Sequence, residues 1–163
     1  MDKWKPGASI GALKRRAQMM ASIRHFFSRR SVLEVDVPLL SSSTVTDINI
    51  ESISAKVGGS KGYLQTSPEY FMKRLLASGS GDIYSMSKAF RDGEVGSKHN
   101  PEFTMLEWYR CGWDEHQLID EVIDLISSVI SASVNVTIDI IKISYIDCFV
   151  HHLGFDPQDA DLD

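Results

Sequence analysis

The sequence predicts an α+β fold. Three observations carry this. Residues 13–30 and 115–130 repeat apolar side chains at helical spacing. Residues 31–40, 48–57 and 63–66 instead alternate at the period of two that marks strands. Residues 83–91 and 102–110 read as two longer strands joined by one polar loop, a hairpin.

In the first helix Leu13, Met20 and Phe27 recur every seven residues, with Ala17, Ile23 and Phe26 on the same side. In the strand that follows, Leu33, Val35 and Val37 alternate onto one face. Glu34 and Asp36 take the other, and Pro38 belongs at an edge or end. Ile48–Val57 is predicted as a strand, Gly58–Gly62 as a turn, and Tyr63–Thr66 as a short strand. Ser67 and Pro68 read as the cap and first residue of a helix stopped by Gly79 and Gly81. Asp114 caps the helix at 115–130, with Gln117 placed to complete a capping box. Residues 134–143 read as a strand, and Ser144 caps a helix over Tyr145–Leu153.

The 163 residues suit one domain or part of a larger one, and a chain of this size buries roughly two-thirds of its unfolded surface. Composition is near the soluble average, with 43% hydrophobic and 24% charged residues, which excludes disordered and fibrous classes. No apolar run approaches the ~20 residues of a membrane helix, and the N-terminus lacks the apolar stretch of a secretory signal. Cys111 and Cys148 are too few for a disulfide scaffold or a zinc site. A reducing cytoplasm is therefore the simplest location.

The net charge of −5 is uneven. Residues 1–30 hold eight Lys/Arg against one acid, whereas Asp114 onward holds one base against eleven acids. The basic segment reads as a solvated helix face, and the overall acidity argues against a protein built mainly to grip nucleic acid. His151 and His152 diverge by about 100° on a helix and make a poor chelate, so no metal site is read in this chain. The Gly58–Gly62 stretch is too short for a P-loop.

The hairpin carries the chemistry. On its second strand Phe103, Met105, Glu107 and Tyr109 share a face. A carboxylate and a phenol two residues apart can jointly hold an ammonium group, and Phe103 offers a stacking platform. Arg91 ends the first strand, where a guanidinium can hold a phosphate bidentately. The ten-residue loop adds Lys98 and His99 as further donors, and long loops of this kind are often functional. The pattern fits a site for a nucleotide and an amine. It equally fits an ordinary hairpin with Glu107 wet and Phe103 and Tyr109 in the core.

Phe90-Arg91 followed by His99-Asn100-Pro101-Glu102-Phe103-Thr104-Met105-Leu106-Glu107-Trp108-Tyr109 resembles motif 2 of the class II aminoacyl-tRNA synthetases in its lysyl form. Residues 13–40 resemble motif 1, and Thr66-Ser67-Pro68-Glu69-Tyr70 resembles the segment that helps bind the amino acid. Within that family the wording of Thr44-Val45-Thr46-Asp47, Glu69-Tyr70 and Glu107-Trp108-Tyr109-Arg110 is similar to the lysyl-tRNA synthetase paralogues that act on elongation factor P. With motif 1 starting at Leu13, the expectation is a protein without the anticodon-binding domain of the lysyl-tRNA synthetases.

The resemblance implies an antiparallel sheet flanked by helices, incomplete over residues 1–163, and a homodimer through motif 1. It implies ATP-dependent activation of (R)-β-lysine, or lysine, and transfer to a lysine of elongation factor P rather than tRNA. Arg91, Asp92, Gly93, Glu94, His99, Asn100 and Phe103 would bind ATP, with Arg91 on the α-phosphate and Phe103 on adenine. Ser67, Pro68, Glu69, Glu107 and Tyr109 would bind the amino acid. The alternatives are a lysyl-tRNA synthetase fragment and an inactive binding fragment.

Two departures bear on this. The family's Arg-Asn-Glu becomes Arg91-Asp92-Gly93-Glu94, so either Glu94 fills the glutamate's place by a loop shift or one contact is lost. Motif 3 and the acidic residues that hold Mg2+ are absent, which implies the N-terminal half of a catalytic domain, inactive alone, with apolar surface exposed.

Overall fold

The computed structural model describes residues 4–131 and 138–159. Among these residues the elements run α1 (Ile10–Ser28), β1 (Leu33–Glu34), β2 (Leu40–Ser41), β3 (Ser54–Val57), β4 (Ser60–Leu64), α2 (Glu69–Ala77), β5 (Ile83–Phe90), β6 (Glu102–Tyr109), α3 (Glu115–Ser131) and α4 (Tyr145–Leu153). The fold is α+β, as expected.

Two three-stranded sheets form, ordered β1-β5-β6 and β2-β4-β3. All strand pairs are antiparallel except β1 with β5, which is parallel. The hairpin β5–β6 is in full register, Ile83 opposite Tyr109 and Phe90 opposite Glu102. Because side chains alternate, this register divides the hairpin into two unlike faces.

One face is apolar. Tyr84 lies opposite Trp108 and Met86 opposite Leu106. They pack with Ile23, Phe26, Phe27, Val32 and Leu125, from α1, its exit turn and α3. Phe27 is fully buried, stacked on Tyr84 at 4.4 Å between centroids and tilted against Trp108 at 5.5 Å. The other face pairs Ser85 with Glu107, Ser87 with Met105 and Ala89 with Phe103. Helix α2 covers only its end, where Met72, Phe71 and Leu75 meet Ile83, Val37 and Tyr109. The candidate site lies along this face, where Phe103, Glu107 and Tyr109 stay half-buried.

A charged network ties the layers. The Arg110 side chain, 8% exposed, lies 2.8 Å from Asp82 and 3.3 Å from Glu121. Glu121, 2% exposed, also accepts from Trp108 Nε1 at 3.1 Å, and Arg30 pairs with Asp124 at 3.2 Å. Arg24 pairs with Glu34 at 3.0 Å. The basic N-terminal segment is thus matched in part by the chain's own acids.

Several expectations shift. Helix α1 starts three residues early because the Ser9 hydroxyl accepts from the Ala12 amide at 3.1 Å. Only its second half reaches the core, so Leu13 and Ala17 are exposed. The first strand shrinks to two residues, Leu33–Glu34; Val37 is buried as expected, but Leu33 is exposed and Val32, just before the strand, is buried instead. The Ile48–Val57 strand forms only from Ser54, after a turn in which Asn49 donates to Asp47. Residues 138–143 form no strand, and the rest of that expectation, 134–137, lies outside the described residues. Several apolar side chains here are exposed, including Ile141, Tyr145 and Leu153. No helix among the described residues is long and apolar enough to cross a membrane.

Candidate functional site

Strand β5 delivers Arg91 and strand β6 delivers Phe103, Glu107 and Tyr109. The Arg91 amide donates to Pro101 O at 2.9 Å, closing the base of the loop. Its Nε donates to Thr66 O at 3.3 Å, which joins the hairpin to the residues leading into α2. The guanidinium lies 5.4 Å from the centre of the Phe103 ring. A cation over a ring face is attracted by the ring quadrupole, so Arg91 and Phe103 form one unit.

The Glu94 carboxylate sits 3.6 Å from Arg91 Nη1. Gly93 precedes it at φ 72°, a left-handed conformation that favours glycine. The Gly93 amide donates to Asp92 Oδ1 at 2.9 Å, and the Asp92 amide to Glu51 O at 2.8 Å. The extra glycine therefore turns the chain so that Glu94, not residue 93, presents a carboxylate to Arg91.

The amine-binding candidates come from two elements. Tyr109 donates its hydroxyl to Glu107 Oε1 at 2.7 Å. Glu69, in the first turn of α2, accepts from Lys73 Nζ at 2.5 Å. The Glu107 carboxyl is raised above the usual 4.5, first by burial and then by the Glu69 charge; the Tyr109 hydrogen bond and Lys73 oppose this. Burial and the neighbouring carboxylates hold the Tyr109 phenol protonated. Lys73 is raised by its hydrogen bond to Glu69, by the Glu69 charge and, less, by Glu107. Two carboxylates, one phenol and one ammonium thus share a single electrostatic neighbourhood.

The capping expected of Ser67 differs in the structure. Pro68, fully buried, is itself the helix cap position, and no side chain caps α2. Ser67 instead lines a cavity of about 220 Å3 with Thr66, Tyr70 and Arg74. His99 and Asn100 are exposed in the loop, where His99 and Gly96 exchange backbone hydrogen bonds. No bond joins their side chains to Arg91 or Phe103 among the described residues. A separate concavity of about 940 Å3 between α1 and α3 is lined by His25, Arg29 and Asp124 and touches none of the hairpin's candidate residues.

Sequence reasoning missed three contributors. Lys73 was legible as one helical turn from Glu69. Thr66 acts through its backbone, which no side-chain pattern reports. Gln65 is buried and donates from Nε2 to Lys88 O at 2.8 Å, binding the strand before α2 to β5. No group of three or more His, Cys, Asp or Glu side chains is placed to share a metal among the described residues.

Chemically, the face offers a guanidinium and an aromatic ring at one end and two carboxylates with a phenol at the other. One end suits an anion with a planar base, the other an ammonium group.

A family model described as tRNA synthetases class II (D, K and N) matches residues 7–162. The chain is 48% identical to a protein of Vibrio vulnificus (strain YJ016) named elongation factor P--(R)-beta-lysine ligase, over 98% of the chain and 50% of that protein. Proteins with the same name from Erwinia tasmaniensis and Pseudoalteromonas translucida are 48% and 46% identical, over 97% and 100% of the chain and 49% and 51% of their own lengths. The chain spans about half the length of these relatives. On this match the chain belongs to the class II tRNA synthetase family of the D, K and N type.

Proposed function

We propose that the protein containing this chain activates (R)-β-lysine with ATP and transfers it to a lysine of elongation factor P. The observation that carries this reading is that Glu107 and Tyr109 share one hairpin face with Arg91 and Phe103, while Glu69 approaches from the start of α2. The relatives' names supply the specific substrates. ATP, elongation factor P and a cytoplasmic location belong to the proposal, as does a homodimer through residues 13–40. So does Mg2+ with the nucleotide, whose ligands are not assigned to this chain.

In the first step a substrate carboxylate oxygen attacks the α-phosphorus and pyrophosphate leaves. Arg91 would offset the charge gathering on the α-phosphate, with Phe103 stacked on adenine. Arg91 already rests over the Phe103 ring, so nucleotide binding would exchange that contact for a base below and a phosphate beside. Glu94 would steer Arg91, and the backbone around Asp92 and Gly93 would set the loop. His99 and Asn100 would reach the outer phosphates only by moving the loop. Glu69, Glu107 and Tyr109 would hold the substrate's ammonium groups, with Ser67 and Pro68 lining the amino acid's place ahead of Glu69. In the second step the acceptor amine attacks the acyl carbon, AMP leaves and the amine proton passes to solvent. No side chain becomes a covalent nucleophile; positioning and charge offset carry the reaction.

The test uses the native-length protein. Pyrophosphate release should require (R)-β-lysine or lysine and fall sharply in Arg91→Ala. Acyl transfer should then reach elongation factor P and not tRNA. Transfer to tRNA alone would favour a lysyl-tRNA synthetase, a reading the family description also accommodates.

A further inference from the structure

Glu69, one of the cluster's two carboxylates, already pairs with an ammonium group from its own chain. Lys73 Nζ lies 2.5 Å from Glu69 Oε1, one turn along α2. Tyr109, the other polar neighbour of Glu107, donates its proton to that carboxylate and leaves its charge in place. Helix α2 meets β6 where Tyr109 and Phe71 pack against the cluster around Met72, and the groups whose charges act on one another there are Glu69, Tyr70 and Lys73 from α2 and Glu107 and Tyr109 from β6. With both carboxylates ionised, the cluster carries one net negative charge. Without Lys73 it would carry two, on carboxylates close enough to raise the Glu107 pKa.

We propose that Lys73 is a specificity-determining residue of this cluster. Its ammonium sets the charge to one, so that the site takes an alkylammonium group and turns away divalent cations. A pair of carboxylates lacking an internal counter-ion is the kind of hard oxygen site that divalent ions occupy. An ammonium fixed to one carboxylate leaves a single charge for the ligand to match. It also keeps Glu107 ionised over a wider pH range, because removing a neighbouring cation disfavours the charged carboxyl. An ordinary exposed ion pair at this spacing would add only a few tenths of a kcal/mol to helix stability, and would leave ligand choice and pH dependence unchanged.

The inference rests on reading this cluster as an ammonium site, and its test separates the two. The native-length protein, Lys73→Met and Lys73→Arg are titrated with n-butylamine and, separately, with Mn2+. Binding is followed by NMR shifts and paramagnetic broadening of the Tyr109 signals. Wild type should bind n-butylamine and bind Mn2+ weakly. Lys73→Met should bind Mn2+ at least tenfold more tightly, and its amine binding should fade at a higher pH on acidification. Lys73→Arg should restore both behaviours. An unchanged ratio of amine to Mn2+ affinity in Lys73→Met, with the pH profile also unmoved, would overturn the inference. Failure of wild type to bind n-butylamine would instead overturn the amine-site reading on which it stands.

Discussion

Replacing Glu107 by Gln removes one negative charge and keeps the shape. Tyr109 donates to Glu107 Oε1 at 2.7 Å, a bond the carboxamide oxygen can still accept, so the strand should not move. What is lost is the charge-assisted contact to a bound ammonium. Two unit charges 4 Å apart at an effective dielectric of 20 attract by about 4 kcal/mol, an upper bound. Glu107 is only half-buried, and measured hydrogen bonds to charged groups contribute about 1.5–3 kcal/mol. A loss of about 2 kcal/mol is the expected result, which weakens lysine binding roughly 30-fold. Calorimetric titration of the native-length protein with lysine at pH 7 measures it. Wild-type binding should also fade as the pH falls through a value above the usual carboxylate range, because burial raises the Glu107 carboxyl. The same group contributes to folding with the opposite sense. A carboxyl raised in the folded state stabilises most when protonated, and that contribution is lost as pH rises through its folded value. A change of less than about threefold in lysine affinity would show that Glu107 does not meet the ammonium, since even one neutral hydrogen bond is worth about that much.

Other perturbations test the scaffold. Phe27→Ala empties the fully buried centre of the larger core and should cost about 3–5 kcal/mol in urea unfolding. Glu121→Ala leaves the Trp108 indole N–H without its acceptor and removes one of the two carboxylates beside Arg110, Asp82 remaining, and should cost about 1–3 kcal/mol, while Glu121→Gln should cost less. Gly93→Ala forces a side chain into a positive-φ position and should destabilise by about 1 kcal/mol. It should also weaken ATP binding if the turn steers Glu94 toward Arg91, as nucleotide titration of the same variant would report.

The elements with local signals were legible in the sequence. Asp114 and Gln117 exchange hydrogen bonds at 2.8 and 3.1 Å, as a capping box requires. Ser144 caps α4 through the Asp147 amide, and Gly79 ends α2 with a left-handed turn. The hairpin was legible because its alternation is long and its loop is bounded by Arg91 and Pro101. Elements set by tertiary pairing were not. Leu33 reads as a core residue by alternation, as Val37 does, yet β1 pairs along two residues only; Val37 is buried, while Leu33 is exposed and Val32 takes its place. Residues 138–143 are rich in isoleucine but make no ladder, because a strand needs a partner as well as β-prone residues, and Ile140-Ile141 breaks the alternation. At the site, the sequence named Glu69, Glu107, Tyr109, Arg91 and Phe103. It did not reveal that Lys73 fills the carboxylates' neighbourhood or that Thr66 O holds Arg91. The first is a matter of which way one helical turn faces, the second of a backbone atom.

The central claim is that the Arg91–Phe103 unit and the Glu69–Glu107–Tyr109 cluster serve one ligand. The most direct measurement is the affinity of the native-length protein for a lysyl-sulfamoyl adenosine, which carries an ammonium-bearing acyl group and a nucleoside in one molecule. The account predicts binding at least about 100-fold tighter than AMP, since joining two sites' ligands makes the second contact intramolecular, with losses in both Arg91→Ala and Glu107→Gln. Binding no tighter than AMP, or insensitive to Glu107→Gln, would contradict it.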